Sequence, residues 1–161
     1  EDKIAIAIKT ADCLPVFLCD LKSSCLMILH AGWKSLSQGI ILNGIKIFNQ
    51  SKISSKNICI LLGPCISQNN FEIGPEVLTE LTSSNLDLSQ DQNYLITSKG
   101  KADRWHFDLA SAAVCQLLNL GVLPKNISVM RSCTYTETTL WPSYRRDNSI
   151  KERIWSWAQI T

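Results

Sequence analysis

Cys13 follows Asp12 in the stretch TADCLP, and His30 opens HAGW seventeen residues after that cysteine. An imidazole beside a thiol can take its proton and make the sulfur a nucleophile. Thiolate and imidazole are equally good zinc ligands, and a catalytic zinc normally takes three protein ligands and leaves a fourth place for water. The other histidine of the chain, His106, precedes Asp108 and a helix-like run, and reads as a capping or surface residue. Three readings therefore stand: a Cys–His catalytic pair, a metal site one ligand short, or a buried thiol and a hydrogen-bonded histidine that only pack. Asp12 favours chemistry, because an acid at a strand edge is hard to explain by packing.

Two further stretches carry unusual groups. GPCISQNNFEIGPEV, residues 63–77, has two Gly-Pro steps and sets Phe71 beside Glu72. That composition suits the rigid wall of a pocket, or simply a turn-rich connector; Cys65 lies within it. SYRRDN, residues 143–148, places Arg145 and Arg146 side by side. Adjacent side chains of an extended segment point to opposite faces, so one guanidinium can reach inward while the other pairs with Asp147. An inward arginine suits phosphate or a carboxylate, and a surface basic pair is the alternative.

The elements that must position these groups are short. IAIAI (4–8), LPVFLC (14–19), CLMILH (25–30) and NICILLG (57–63) are apolar runs bounded by turn-type residues and read as buried strands. Between Ser35 and Gln50, apolar residues recur at steps of three and four, which predicts an amphipathic helix with Ser35 as its N-cap. Pro75 opens a second, shorter helix, and residues 83–104 read as a polar surface excursion. HFDLASAAVCQLLNLGV (106–122) predicts a helix closed by Gly121, and ISVMR (127–131) and RIWSWAQI (153–160) predict strands. Interleaved strands and helices make the class α/β with a layered sheet.

Composition narrows the function classes. A chain of 161 residues with 45% hydrophobic content supports one domain and its core, residues 1–161, rather than two. The net charge of +2, with basic residues scattered, gives no footprint for nucleic acid. No apolar run is long enough to cross a bilayer, and the N-terminus lacks a signal-peptide layout, so a cytoplasmic protein is expected. Seven cysteines, an odd number without C-x-x-C spacing, favour free thiols over a disulfide framework.

TADCLP, HAGWKSL, GPCISQNNFEIG, CTYTE and SYRRD occur here in that order. In this the chain resembles the YfiH-like family, also called laccase-domain, multicopper polyphenol oxidoreductase or DUF152, with its YlmD-type bacterial members. The resemblance covers nearly the whole chain. It implies a three-layer α/β/α domain with mixed sheets, similar to the catalytic domain of cytotoxic-necrotising-factor toxins. It implies that Cys13 and His30 bind zinc, with a third ligand from a Q-V-H-G motif well upstream of TADC. This sequence has no such motif and starts shortly before TADC, so the family's N-terminal third is expected to be missing.

The resemblance further implies a purine nucleoside enzyme, carrying out phosphorolysis of adenosine, inosine, guanosine and methylthioadenosine, and deamination of adenosine. Small-molecule nucleoside and phosphate are then the partners, with the oligomeric state open. In that reading Asp12 is the candidate carboxylate that moves protons, Arg145 or Arg146 the candidate for phosphate, and Phe71 a pocket wall. A copper-dependent polyphenol oxidase is the older family reading. Laccase chemistry needs a blue copper and a three-copper cluster, for which two histidines are too few. A metal-free hydrolase or amidase, with Cys13 as nucleophile and His30 as base, would connect with the family's assigned role in peptidoglycan editing. A non-catalytic fragment is the remaining alternative.

Overall fold

The structure, a computed structural model, describes residues 4–84, 96–98 and 103–160. Strand β1 (Ala5–Thr10) leads into a hairpin of β2 (Leu14–Asp20) and β3 (Cys25–Ala31), which pairs Leu14 with Ala31 and Asp20 with Cys25. Asp20 closes the turn by accepting hydrogen bonds from the Ser23 N–H at 3.0 Å and its hydroxyl at 2.6 Å. The helix expected from Ser35 to Gln50 is two helices, α1 (Trp33–Ser37) and α2 (Ile40–Gln50). Gly39 separates them in the left-handed conformation, with φ 78° and ψ 33°, which a glycine adopts without steric penalty. Ser35 is not the N-cap; it sits inside α1 and its hydroxyl reaches back to the Gly32 N–H at 2.9 Å.

Strand β4 (Cys59–Leu62) flanks β2 antiparallel. The short strand β5 (Glu72–Ile73) follows, then α3 (Pro75–Ser83) with the expected proline at its start. Of the polar stretch 83–104, residues 85–95 and 99–102 lie outside the described residues, and β6 (Ile96–Ser98) lies within it. The helix expected from residue 106 starts later. Trp105–Phe107 is strand β7, and α4 (Leu109–Asn119) begins after Asp108, whose Oδ1 accepts the Ser111 N–H at 2.9 Å. Gly121 ends it with φ 84°. Strand β8 (Ile127–Val129) runs parallel to β4, and β9 (Ile154–Gln159) pairs with β1 antiparallel.

Among the described residues three sheets result, with orders β1-β9, β3-β2-β4-β8 and β5-β7-β6. The second contains both antiparallel and parallel pairs, so the expected α/β class with mixed sheets is what the chain adopts. Its helical layer packs on the face carrying Leu14, Val16, Leu18, Ile60 and Leu62, all buried, against Ile41, Ile45 and Phe48 of α2 and Leu117 of α4. α2 approaches closely because Gly44 has no side chain: a Cβ there would lie 2.9 Å from Leu29 Cδ1. On the opposite face Leu61 is 46% exposed and His30 lies open. All seven cysteines are free thiols. Among the described residues no helix is long and apolar enough to cross a membrane.

Candidate active site

The hairpin register decides how Cys13 lies relative to His30. Pro15 lies opposite His30 and Leu14 opposite Ala31, so one further step sets Cys13 against Gly32. A Cβ on Gly32 would be 2.9 Å from Cys13 Sγ, so the sulfur occupies the space that a side chain at residue 32 would fill. Residues two apart on a strand share a face, which places the sulfur on the face of His30, at the diagonal position. The HAGW turn is fixed by Ser35, whose hydroxyl accepts from the Gly32 N–H and lies 2.9 Å from the His30 carbonyl. Burial pushes the Cys13 thiol above its ordinary range, and the Asp12 charge adds to this. Partial burial holds the His30 imidazole below its usual value. A thiol raised in this way is not an activated nucleophile by itself; a cation on the sulfur would favour the thiolate.

Asp12 is buried and has φ 85°, a backbone region that side-chain-bearing residues seldom adopt. Its carboxylate joins two distant segments. Oδ1 accepts the Thr134 hydroxyl at 2.6 Å, and Oδ2 accepts the Arg145 N–H at 2.7 Å. Its carbonyl accepts the Ile66 N–H at 2.9 Å. Both carboxylate oxygens are therefore engaged in holding the loops around Cys13.

The two arginines diverge. Arg146 is turned into its own loop, donating to the carbonyls of Thr134, Tyr135 and Trp141 at 2.8–2.9 Å. Arg145 is exposed, donates to the Glu72 carbonyl at 2.8 Å and lies with Cζ 5.2 Å from the centre of the Phe71 ring. Phe71 is buried and packs on Phe107 at 6.4 Å between ring centres. Two hollows meet here. One of about 130 Å³ is lined by Asp12, Cys13, Trp33, Phe71, Tyr144 and Arg145, among others. A more polar one of about 310 Å³ shares Trp33, Phe71 and Arg145 and adds Glu72, Glu76 and Arg104. Arg104 and Glu72 approach to 3.9 Å.

Trp33, Tyr144 and Thr134 were not singled out from the sequence. The first stands three residues after His30 and the second directly before Arg145, which is the signal that was available. His106 is neither a cap nor a surface residue: it is buried in β7, opposite Glu72 and Thr97. Among the described residues no group of three or more His, Cys, Asp or Glu side chains is arranged to hold a metal ion. Cys13 and His30 match zinc in donor chemistry, but two donors do not complete a catalytic site.

The family model for multi-copper polyphenol oxidoreductase laccase matches residues 1–161. The chain belongs to that family. A purine nucleoside phosphorylase of Bacteroides thetaiotaomicron is 29% identical over 161 residues, covering 99% of this chain and 58% of its own length. Escherichia coli purine nucleoside phosphorylase YfiH is 32% identical over 143 residues, 89% of this chain and 54% of its own. Adenosine deaminase RL5, from an unknown prokaryotic organism, is 29% identical over 143 residues, 89% of this chain and 53% of its own. The solved structure of Bacillus licheniformis hypothetical protein YfiH superposes with a TM-score of 0.88 at 27% identity, covering 95% of this chain and 56% of that one. This laccase-family chain thus spans little more than half the length of the relatives it matches. The family and fold implied by TADC and HAGW are those observed.

Proposed function

We propose that the chain carries the base and phosphate subsites of a purine nucleoside enzyme, with phosphorolysis as its main reaction and adenosine deamination as a second one. The observation that carries this reading is Arg145 lying over Phe71, where the hollow beside Cys13 opens into the polar one. Flat apolar walls of Trp33 and Phe71 suit a purine, and an exposed guanidinium at their rim suits an anion. The names of the relatives in Bacteroides thetaiotaomicron and Escherichia coli, and of the deaminase RL5, support the same substrate class.

In phosphorolysis a phosphate oxygen attacks the anomeric carbon, the bond from that carbon to the purine nitrogen breaks, and the base leaves with a proton. Arg145 would hold the phosphate and offset its charge. Trp33 and Phe71 would hold the base and exclude water from its faces. Asp12 fixes the position of Arg145 through the backbone N–H and so acts as a positioning residue. Zinc, if bound, would polarise an oxygen and lower the pKa of a water. Cys13 and His30 would be its two donors from this chain, completed by a donor outside the described residues.

The test uses this chain and the longest natural form of the gene. Each is incubated with adenosine, inosine, guanosine or methylthioadenosine, with and without phosphate. Elemental mass spectrometry gives the metal content. Free purine that depends on phosphate, ammonia from adenosine that does not, and zinc lost on Cys13→Ala are the expected results. No purine and no ammonia from any nucleoside in either form would overturn the proposal. The metal-free hydrolase is less favoured because nothing lowers the Cys13 thiol. Killing by alkylation with full resistance to chelators would restore it. For copper oxidation, this chain's two histidines remain too few.

A further inference from the structure

A separate cavity, of about 680 Å³, shares only Ile66 with the hollow beside Cys13. Cys65 and Cys133 both line it, and they face each other in a parallel bridge. The Cys65 N–H bonds to the Ser132 carbonyl at 3.3 Å, and the Thr134 N–H to the Cys65 carbonyl at 3.1 Å. Bridged strands lie roughly 4.7–4.9 Å apart, inside the Cα separation of roughly 4.4–6.8 Å that a disulfide needs.

The two sulfurs have different surroundings. Cys133 Sγ receives the Ser67 N–H at 3.3 Å and the Asn70 side-chain amide at 3.5 Å, and lies 3.1 Å from the Ser67 hydroxyl. Glu137 anchors the segment by accepting the Cys133 N–H at 2.9 Å and the Ser132 hydroxyl at 2.7 Å. Cys65 is buried.

We propose that Cys133 is a peroxide-reactive thiolate in this separate cavity, and that Cys65 is the partner with which it closes a disulfide. The thiolate attacks one oxygen of hydrogen peroxide, the O–O bond breaks, and Cys133 becomes a sulfenic acid as hydroxide leaves. The Cys65 sulfur then attacks that sulfur, its proton and the hydroxyl departing as water. Peroxide takes up two electrons overall, and two thiols become one disulfide. Burial opposes the thiolate at Cys133, but hydrogen bonds from Ser67 and Thr136 outweigh it and bring the thiol down to about 7. Cys65 is buried, whereas Cys133 is only partly so and its sulfur receives the donors of Ser67 and Asn70, which fixes the order of events. The bridge lies one residue from Ile66 and from Thr134, two of the three residues that hold Asp12. Oxidation therefore reports on, and stiffens, the frame around Cys13.

The experiment is peptide mapping of the unsubstituted chain after graded hydrogen peroxide and alkylation of the remaining thiols. At pH 7 a thiol of pKa about 7 is half ionised, against a few per cent for an ordinary one. A lower-pKa sulfur is intrinsically less nucleophilic, which leaves Cys133 roughly fourfold ahead. The expected product is a Cys65–Cys133 linked peptide while exposed Cys59 is still free. In Cys65→Ser, dimedone should trap sulfenic acid at Cys133. Consumption of Cys59, or of the facing Cys19–Cys59 pair, before Cys133 overturns the proposal. A sulfenic acid found first on Cys65 also overturns it. Neither readout depends on nucleoside turnover.

Discussion

Gly32→Ala probes the contact that sets Cys13 beside the HAGW turn. The backbone at Gly32, with φ −84° and ψ 172°, is ordinary extended structure, so alanine brings no main-chain strain. Its Cβ would lie 2.9 Å from Cys13 Sγ. Comfortable heavy-atom contact is roughly 3.5–4.0 Å, so the sulfur must retreat by about 0.6–1.1 Å. Rotation about one side-chain bond can supply that, at a cost of about 1 kcal/mol, and the melting temperature should fall by about 2–4 °C for a chain of this size. Metal ligation is far less forgiving, since ligand distances must hold within roughly 0.2 Å. Zinc affinity should therefore fall at least about tenfold while the fold persists. Competition against a chromogenic chelator in the longest natural form, beside calorimetric melting, measures both. Affinity within twofold of wild type would show that Cys13 is not placed by this turn.

Arg146→Ala removes three charge-assisted bonds to carbonyls and should destabilise by about 2–4 kcal/mol in urea unfolding. Arg145→Ala should leave stability nearly unchanged and raise the KM for phosphate. Equal stability losses from the two would contradict their separate surroundings. Thr134→Val, which leaves Asp12 Oδ1 without its donor, should cost about 1–3 kcal/mol. Cys133 has a folded-state pKa of about 7, below its ordinary value of 9.0. Its thiolate therefore contributes stability that is present above pH 9 and lost as pH falls through about 7. The melting-temperature gap between wild type and Cys133→Ser should accordingly widen from pH 6 to pH 9; a constant gap would refute the thiolate.

The hairpin of the candidate site was readable because LPVFLC and CLMILH are uniform apolar runs bounded by turn residues. Once paired, strand periodicity brings Cys13 and His30 to one face. What joins them to the rest was not readable. Thr134 and Arg145 bond to Asp12 across more than a hundred residues of sequence, and no local pattern encodes such a contact. The 132–147 loop has neither alternation nor helical period, because it is organised by Arg146 and Glu137 side chains gripping backbone groups. The break at Gly39 was hidden by apolar spacing that continues across it. Likewise His106 looked like a helix-flanking polar residue because β7, only Trp105–Phe107, is too short to show a period.

Asp12 can be assigned to positioning or to chemistry by replacing it with glycine. Its positive φ suits glycine, so Asp12→Gly relieves backbone strain of about 1–3 kcal/mol. The same change deletes two hydrogen bonds to a carboxylate, each worth about 1.5–3 kcal/mol. If the carboxylate is there to hold loops, the losses win and Asp12→Gly should be less stable by about 1–3 kcal/mol. Turnover should then fall through a raised KM, as Arg145 drifts from Phe71. If Asp12→Gly is instead as stable as wild type while kcat collapses at unchanged KM, the strained aspartate is kept for proton transfer. Urea unfolding and the split between kcat and KM together separate the two roles, because a structural clamp and a proton carrier move these quantities in different combinations.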